Sequence, residues 1–298
     1  MIGVDAVADV LAQEWGLSDV RITEHNGGMN SLTWWIDAPH RRWVAKSVPA
    51  SAGLDFLGGL AVAARVQAAG IPSGAAVPTR AGAVTATIAD PATASRRPIA
   101  LLDYVPGDEL SDSDLDDVRL VGTTLGRVHV ALRDVRVDGI RGLRGIDLGA
   151  GYLGVREWIR PAIADVLGEY AELEPDSLTS GLLHSDPAPE AFRLDRSTGI
   201  VGLIDWGAAL SGPLLYDLAS AVMYVGGLDS ADALLDAYLA TGALSRAEVD
   251  RGVSTMLRFR WAIQAMYFAW RTANDDLTGI DDGAGNEEGL ADAKRMLT

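Results

Sequence analysis

Residues 181–207 constrain the fold more than any other stretch, because acidic residues there directly follow apolar runs. His184 and Asp186 come after an apolar triplet, and Asp205 ends the apolar run 200–204. Turn-forming residues lie between the two halves. The pattern therefore predicts a strand hairpin that brings both carboxylates to one edge.

Two carboxylates placed in this way suit magnesium-dependent phosphoryl transfer. One would accept the proton of an attacking hydroxyl, and the other would hold the metal against the phosphates. A pair of ordinary turn aspartates would show the same spacing, so the hairpin alone leaves both interpretations open.

These residues resemble the motifs of the aminoglycoside phosphotransferase and choline kinase-like superfamily, which has a protein-kinase-like fold. That family carries H-G-D-x-x-x-x-N, then an apolar strand with I-D-[WF], and a downstream D-P-x-x-D-L-A. The matching residues here are His184, Asp186, Ile204, Asp205, Trp206 and residues 212–219. The resemblance spans most of the chain. The chain departs from the pattern at Ala191, where the family has an Asn.

The resemblance implies an α+β, bilobal protein-kinase-like fold. A small β-rich lobe would comprise residues 1–103 and bind nucleotide, and a larger, mainly helical lobe would comprise residues 104–298 and carry the hairpin 181–207. The implied activity is ATP-dependent transfer of the γ-phosphate to a hydroxyl. The acceptor would be a small antibiotic-like molecule or metabolite, or a Ser/Thr side chain of a peptide in natural-product biosynthesis.

The resemblance also assigns site residues. Asp186 would be the catalytic base with His184 beside it, Asp205 would bind Mg²⁺, and the rest would bind ATP. The expected nucleotide-binding residues are Gly27, Gly28, Lys46, Asp103 and Val105.

Ala191 stands where the family's metal-binding Asn belongs, and alanine cannot coordinate a metal. Glu190 is adjacent and offers a carboxylate oxygen, so it is the candidate for a second metal ligand. Two alternatives stay open: a site with one metal, and a degenerate kinase-like protein that binds nucleotide or peptide as a partner subunit without phosphoryl transfer.

Lys46 matches the nucleotide-binding lysine of a kinase-like third strand. The chain has only one other lysine, Lys294, and otherwise uses arginine. A lone lysine within a strand indicates that a compact cation is needed there. An exposed lysine on an edge strand is the alternative.

The net charge of −16 argues against a nucleic-acid or anionic-membrane partner and leaves a cationic acceptor and a partner protein open. The chain has no cysteine, which excludes disulfides and is typical of a reducing interior. Its first residues lack a basic leader, and no apolar run is long enough to span a bilayer. A soluble, cytoplasmic protein is expected.

Periodicity predicts a helix over residues 4–15, strands over 20–24, 32–37 and 42–48, and a helix over 54–69. The family places a Glu in that second helix to pair with the lysine. The helix has none: Asp55 is its only acid, and Gly58-Gly59 weaken it. The ion pair is therefore expected to be absent or rebuilt.

Further along, the first lobe has strand candidates at residues 77–79, 83–88 and 99–104, with a loop at 89–98. In the second lobe, a helix opens at Ser111 or Ser113, and His129 on it is expected to be a packed or capping histidine. The other predicted elements are helices over residues 152–170, broken or kinked at Pro161, 214–225, 229–241 and 246–272, with a loop over 134–151. A loop or poorly ordered segment is predicted over 275–289, before a short final helix. In the family, the acid at Asp217 braces the loop that carries the catalytic Asp.

Overall fold

The computed structural model describes residues 2–25, 31–90, 95–280 and 282–298. The strands are β1 (Arg21–His25), β2 (Leu32–Ala38), β3 (Arg41–Ser47), β4 (Ala86–Asp90), β5 (Ser95–Asp103), β6 (Asp108–Glu109), β7 (Ser180–Leu183), β8 (Phe192–Asp195), β9 (Ile200–Leu203) and β10 (Leu210–Pro213). The helices are α1 (Val4–Val10), α2 (Gly53–Ala68), α3 (Leu115–Ala131), α4 (Ile159–Glu172), α5 (Leu215–Tyr224), α6 (Asp232–Leu239), α7 (Arg246–Ala273) and α8 (Ala284–Leu297).

The chain forms two compact units. Unit 1 comprises Met1–Asp108, Arg136–Arg141 and Arg193–Ala209, and unit 2 comprises Glu109–Val135, Gly142–Phe192 and Leu210–Thr298. The division at residue 103 stays a prediction about lobes, because the contacts group two later segments with the first unit. In the described ranges, no helix has the length and apolar character needed to cross a bilayer.

Unit 1 is built on an antiparallel sheet in the order β1-β2-β3-β5-β4. Successive side chains of a strand point to opposite faces. Trp34 and Ile36 of β2 are buried in the core together with Ala45 of β3. Lys46 pairs in register with Thr33 and therefore lies on the opposite face from that core.

The strand predictions for β1, β2 and β3 are confirmed to within one residue at each end. The predicted strand at 77–79 is wrong: Val77 donates one hydrogen bond to Leu101, and only an isolated bridge joins Ala76 to Leu102. The predicted loop 89–98 is also wrong in part, because β4 and β5 pair from Ala86↔Ile99 to Asp90↔Ser95. Residues 91–94 of that loop lie outside the described residues.

Helix α2 packs closely against the short helical turn Trp206–Ala208, which follows Asp205 in unit 1. A Cβ at Gly59 would lie 2.1 Å from the carbonyl oxygen of Trp206. Real side chains do not approach this closely, so the helix reaches the turn only because position 59 is glycine. Gly59 therefore does more than weaken the helix, because it permits this contact.

Gly59→Ala is expected to lower the free energy of unfolding by about 1–3 kcal/mol, the usual cost of overpacking. The matched change Gly168→Ala, in α4, should raise it by about 0.5–1 kcal/mol, because alanine favours helix and nothing lies within 4 Å of the added Cβ. Urea unfolding of the two variants checks the prediction. A stabilising Gly59→Ala would contradict the close contact.

Unit 2 is mainly helical, with α5 packed on α7, α3 on α6 and α7 on α8. Helix α3 begins later than predicted, at a cap formed by Asp114 and not by Ser111 or Ser113. Pro161 is the third residue of α4, so the proline lies in the first turn of a new helix. Helix α8 confirms the predicted final helix, but it begins at Ala284, so the predicted loop 275–289 is wrong from residue 284 onward.

The predicted hairpin 181–207 is correct only in its second part. Strand β8 pairs with β9 across the turn at 195–199 in a sheet of order β6-β8-β9. Strand β7, which precedes His184, instead pairs with β10 in the register Leu183↔Leu210 to Ser180↔Pro213. The reason lies in residues 184–191, where Pro187 and Pro189 prevent the chain from continuing as a strand.

Candidate active site

In unit 2, the carboxylate of Asp217 holds the loop that follows β7. Asp217 is fully buried in the first turn of α5 and accepts hydrogen bonds from the backbone N–H groups of His184 (2.6 Å) and Ser185 (2.7 Å). The predicted bracing role of Asp217 is confirmed by these contacts. Asp186, the next residue, is thereby placed at the end of a fixed backbone segment.

His129 supports Asp217 from α3. Its Nε2 lies 3.1 Å from Asp217, and its Nδ1 lies 2.7 Å from the hydroxyl of Tyr238. Burial, reinforced by Asp217, raises the pKa of Tyr238 well above its ordinary value, so this phenol stays protonated in its hydrogen bond with Nδ1. The prediction of a packed histidine is confirmed.

Asp217→Asn should cost about 3 kcal/mol of unfolding free energy or more, because an amide offers one acceptor oxygen and leaves a buried N–H unsatisfied. Asp114→Asn is the matched control: Asn caps helices as well as Asp does, so its effect should stay below about 0.5 kcal/mol. Thermal unfolding measures both. Similar effects at the two positions would contradict the bracing role.

Ser185 is a site feature that the sequence analysis missed. Its φ is 75°, in the left-handed region, and its Oγ is buried with no hydrogen-bond partner among the described residues. Residues other than glycine rarely adopt this backbone conformation. The signal was present in the sequence, because the family pattern H-G-D has glycine at this position.

Ser185→Gly is expected to stabilise the fold by up to about 1 kcal/mol, because glycine adopts positive φ without steric cost. Ser180→Gly, in β7, should instead destabilise it by about 0.5–1 kcal/mol, the usual cost of glycine within a strand. Denaturant titration distinguishes the two signs. A destabilising Ser185→Gly would show that the serine hydroxyl has a partner that outweighs the strain.

Asp186 is half exposed, with 53% of its side chain accessible, and two donors hold its Oδ1 atom. The hydroxyl of Tyr224 donates to it, and Nη2 of Arg260 lies 3.2 Å from it and 3.3 Å from the Tyr224 oxygen. The sequence analysis missed Tyr224 and Arg260. They lie 38 and 74 residues from Asp186, and no local pattern links them.

Glu190 lies in the short turn Pro189–Ala191, and its side chain is exposed. Burial and Asp186 raise the pKa of Tyr224, Arg260 lowers it, and the charge of Glu190 adds a smaller increase. Glu190 therefore belongs to the surroundings of the same tyrosine. Ala191 is buried. The assignment of Glu190 as a metal ligand stays a prediction.

In unit 1, Nζ of Lys46 lies 2.5 Å from Oδ1 of Asp205. Asp205 follows β9, adopts a φ of 67°, and leaves 58% of its side chain accessible. The rebuilt ion pair therefore joins the lysine to the predicted metal ligand. Asp55 of α2 instead pairs with Arg141 at 2.5 Å.

The other predicted nucleotide-binding residues differ in their surroundings. The carboxylate of Asp103 pairs with Arg41 at 2.7 Å. Val105 is buried, and in the described parts of the chain it makes no backbone–backbone hydrogen bond, so its N–H and C=O suit the edge of a nucleobase. Gly27 and Gly28 lie outside the described residues.

The predicted metal ligand Asp205 suits a magnesium ion that is bound together with its nucleotide. Among the described residues, no group of three or more His, Asp or Glu side chains could hold a metal alone. Mg²⁺ commonly uses one or two carboxylates and takes its other ligands from water and phosphate oxygens. The accessible carboxylate of Asp205 meets that requirement.

Comparison with known proteins agrees with this chemistry. The model of the phosphotransferase enzyme family, APH, matches residues 21–251. A sequence search of curated proteins found no match. Many solved structures resemble the chain.

A microcompartment-associated aminopropanol kinase has a TM-score of 0.74 at 15% identity, over 99% of this chain and 95% of that one. An amicoumacin kinase in complex with AMP-PNP and Ca²⁺ has a TM-score of 0.74 at 13% identity, over 99% and 93%. A choline/ethanolamine kinase family protein from Mesorhizobium loti has a TM-score of 0.69 at 18% identity, over 98% and 94%. At these identities the likeness is one of fold, and the predicted protein-kinase-like fold is confirmed.

Proposed function

The chain belongs to the phosphotransferase enzyme family, and we propose that it transfers the γ-phosphate of ATP to the hydroxyl group of a small molecule. The observation that carries the proposal is the placement of Asp186. Its carboxylate is half exposed on a loop whose backbone is fixed by Asp217. A general base needs this combination of access and fixed position.

Asp186 would bind the acceptor hydroxyl and orient it. As the acceptor oxygen forms its bond to the γ-phosphorus, the bond from that phosphorus to the β–γ bridging oxygen breaks, and its electron pair leaves with ADP. The acceptor proton moves to the carboxylate of Asp186. Because phosphoryl transfer depends mainly on positioning and charge stabilisation, a strongly basic residue is not required.

Lys46 and Asp205 would both bind the nucleotide phosphates in unit 1, Lys46 directly and Asp205 through the metal. Asp205 would hold Mg²⁺, which neutralises charge on the phosphate oxygens when it is bound. Lys46 would donate to those oxygens, and the backbone of Val105 would receive the base. The amicoumacin kinase of the same fold binds AMP-PNP, which supports ATP as the phosphate donor.

An amino alcohol is the acceptor that we favour. Aminopropanol and choline/ethanolamine kinases share this fold, and a net charge of −16 attracts a cationic acceptor. A Ser/Thr side chain of a peptide remains a second acceptor class to test. Ala191 favours one other candidate, a protein that binds nucleotide without transferring phosphate, because it removes a metal ligand of the family pattern.

The decisive experiment measures ADP release with ATP–Mg²⁺ and a panel of acceptors that includes aminopropanol, choline, ethanolamine, an aminoglycoside and Ser/Thr peptides. Asp186→Asn should lower turnover about a hundredfold or more, the scale of a lost general base, while leaving ATP binding unchanged. The control Asp195→Asn, in the β8–β9 turn, should keep full turnover.

Nucleotide binding is measured separately, by the heat-stability shift that ATP produces with and without Mg²⁺. Asp205→Ala should abolish the magnesium-dependent part of the shift. A magnesium-dependent shift in wild type without ADP release from any acceptor would favour the nucleotide-binding alternative. Equal turnover in Asp186→Asn and wild type would contradict the role of Asp186.

A further inference from the structure

The carboxylate of Asp186 is held through one of its two oxygens. Tyr224 and Arg260 both donate to Oδ1. Within the described residues, no hydrogen bond or ion pair reaches Oδ2, although half of the side chain is accessible. A carboxylate held on one side only has its rotation fixed while its second oxygen stays available.

Arg260 is an unusual residue to find at this place, because only 10% of its side chain is accessible. Burial disfavours its charge, but Tyr216, Tyr224 and Asp186 outweigh burial and raise the pKa of Arg260 above its ordinary value. Among the described residues, Asp186 is the only carboxylate that pairs with it. Replacing a buried ion pair by apolar residues is often neutral or stabilising. Stability alone therefore does not account for this arginine.

Tyr224 links the same carboxylate to the helix that fixes the loop. It is the last residue of α5 and lies seven residues, or two helical turns, after Asp217, so both side chains project from one face. Burial, with a further contribution from Asp186, raises the pKa of Tyr224 far above its ordinary value. The phenol therefore stays protonated and donates its hydrogen bond at neutral pH. Helix α5 thus holds the loop backbone at one end and the Asp186 side chain at the other.

We propose that Tyr224 and Arg260 are positioning residues that fix the carboxylate of Asp186 through Oδ1, so that Oδ2 meets the acceptor hydroxyl. This inference rests on the proposed phosphotransfer. Without these donors the carboxyl group would rotate about its terminal torsion, which has broad minima. The acceptor would then meet an oxygen in the productive direction for only part of the time.

The test uses Tyr224→Phe, which removes only the hydroxyl, and Arg260→Met, which removes the charge and keeps a long side chain. Each should lower kcat for acceptor-dependent ADP release about tenfold to a hundredfold, the cost of a misplaced reacting group. KM for ATP should change by less than about twofold, since ground-state binding is not affected. Arg260→Lys should recover part of kcat, because it restores a cation without the planar donor geometry.

The matched controls are Tyr170→Phe and Arg258→Met. The ring of Tyr170 stacks on Phe259. Arg258 lies on the same helix as Arg260, and its replacement loses only the ion pair with Glu169 of α4. Both should keep the kcat of wild type. Heat unfolding of every variant identifies one that has lost its fold, and Arg260→Lys serves if Arg260→Met does not fold.

The distinguishing measurement repeats Tyr224→Phe and Arg260→Met in an Asp186→Asn background. Residues that act as a unit are not additive, so each added change should lower kcat there by less than about threefold. The same loss in both backgrounds, or a full kcat in folded Tyr224→Phe and Arg260 variants, would overturn the inference. A wild-type chain that phosphorylates no acceptor would instead contradict the proposed function itself, before any variant is compared.

Discussion

The arrangement of the helical unit depends on one buried carboxylate. Asp217 accepts two backbone hydrogen bonds from the loop after β7 and a third from His129. A buried charge is tolerated only when its oxygens are satisfied in this way. The loop, α3 and α5 therefore depend on each other, because moving any one of them leaves a charge or an N–H without its partner. The same contacts fix the backbone directly before Asp186 and so determine the position of Asp186.

Strained backbone occurs at one of the two predicted acidic site residues and directly before the other. Ser185, directly before Asp186, and Asp205 itself both have positive φ, which costs about 1–3 kcal/mol for residues other than glycine. The surrounding contacts must offset that cost: Asp217 binds the Ser185 N–H, and Lys46 binds the Asp205 carboxylate. Gly59 allows α2 to pack on the turn after Asp205. In each unit, local strain is thus compensated by a specific contact, and a carboxylate remains accessible.

The sequence predicted features that depend on neighbouring residues. It did not predict strand pairings and side-chain contacts between residues that are distant in the chain. Alternation in β2 and β3 placed Lys46 on a strand, and the D-L-A motif placed Asp217 under the loop. The first part of the hairpin was wrong because β7 pairs with β10, which lies beyond two prolines, and a local pattern does not encode such a distant partner. Helix α8 begins earlier than predicted. Its glycines indicated a loop up to residue 289, whereas Gly289 packs against Phe268 and Asn286 binds Arg271. Tyr224 and Arg260 reach Asp186 only through the tertiary packing of α5 and α7.

The contacts of Asp217 predict that the loop carrying Asp186 is fixed before any substrate binds. Native-state hydrogen exchange of the ligand-free protein measures this at the backbone amides of His184 and Ser185. Because Asp217 binds both N–H groups in a buried site, these amides should exchange as slowly as those of the α5 core, through global unfolding. Exchange as fast as that of the exposed turn amide of Ser197 would contradict the account, since the loop would then open without unfolding the helices that hold it.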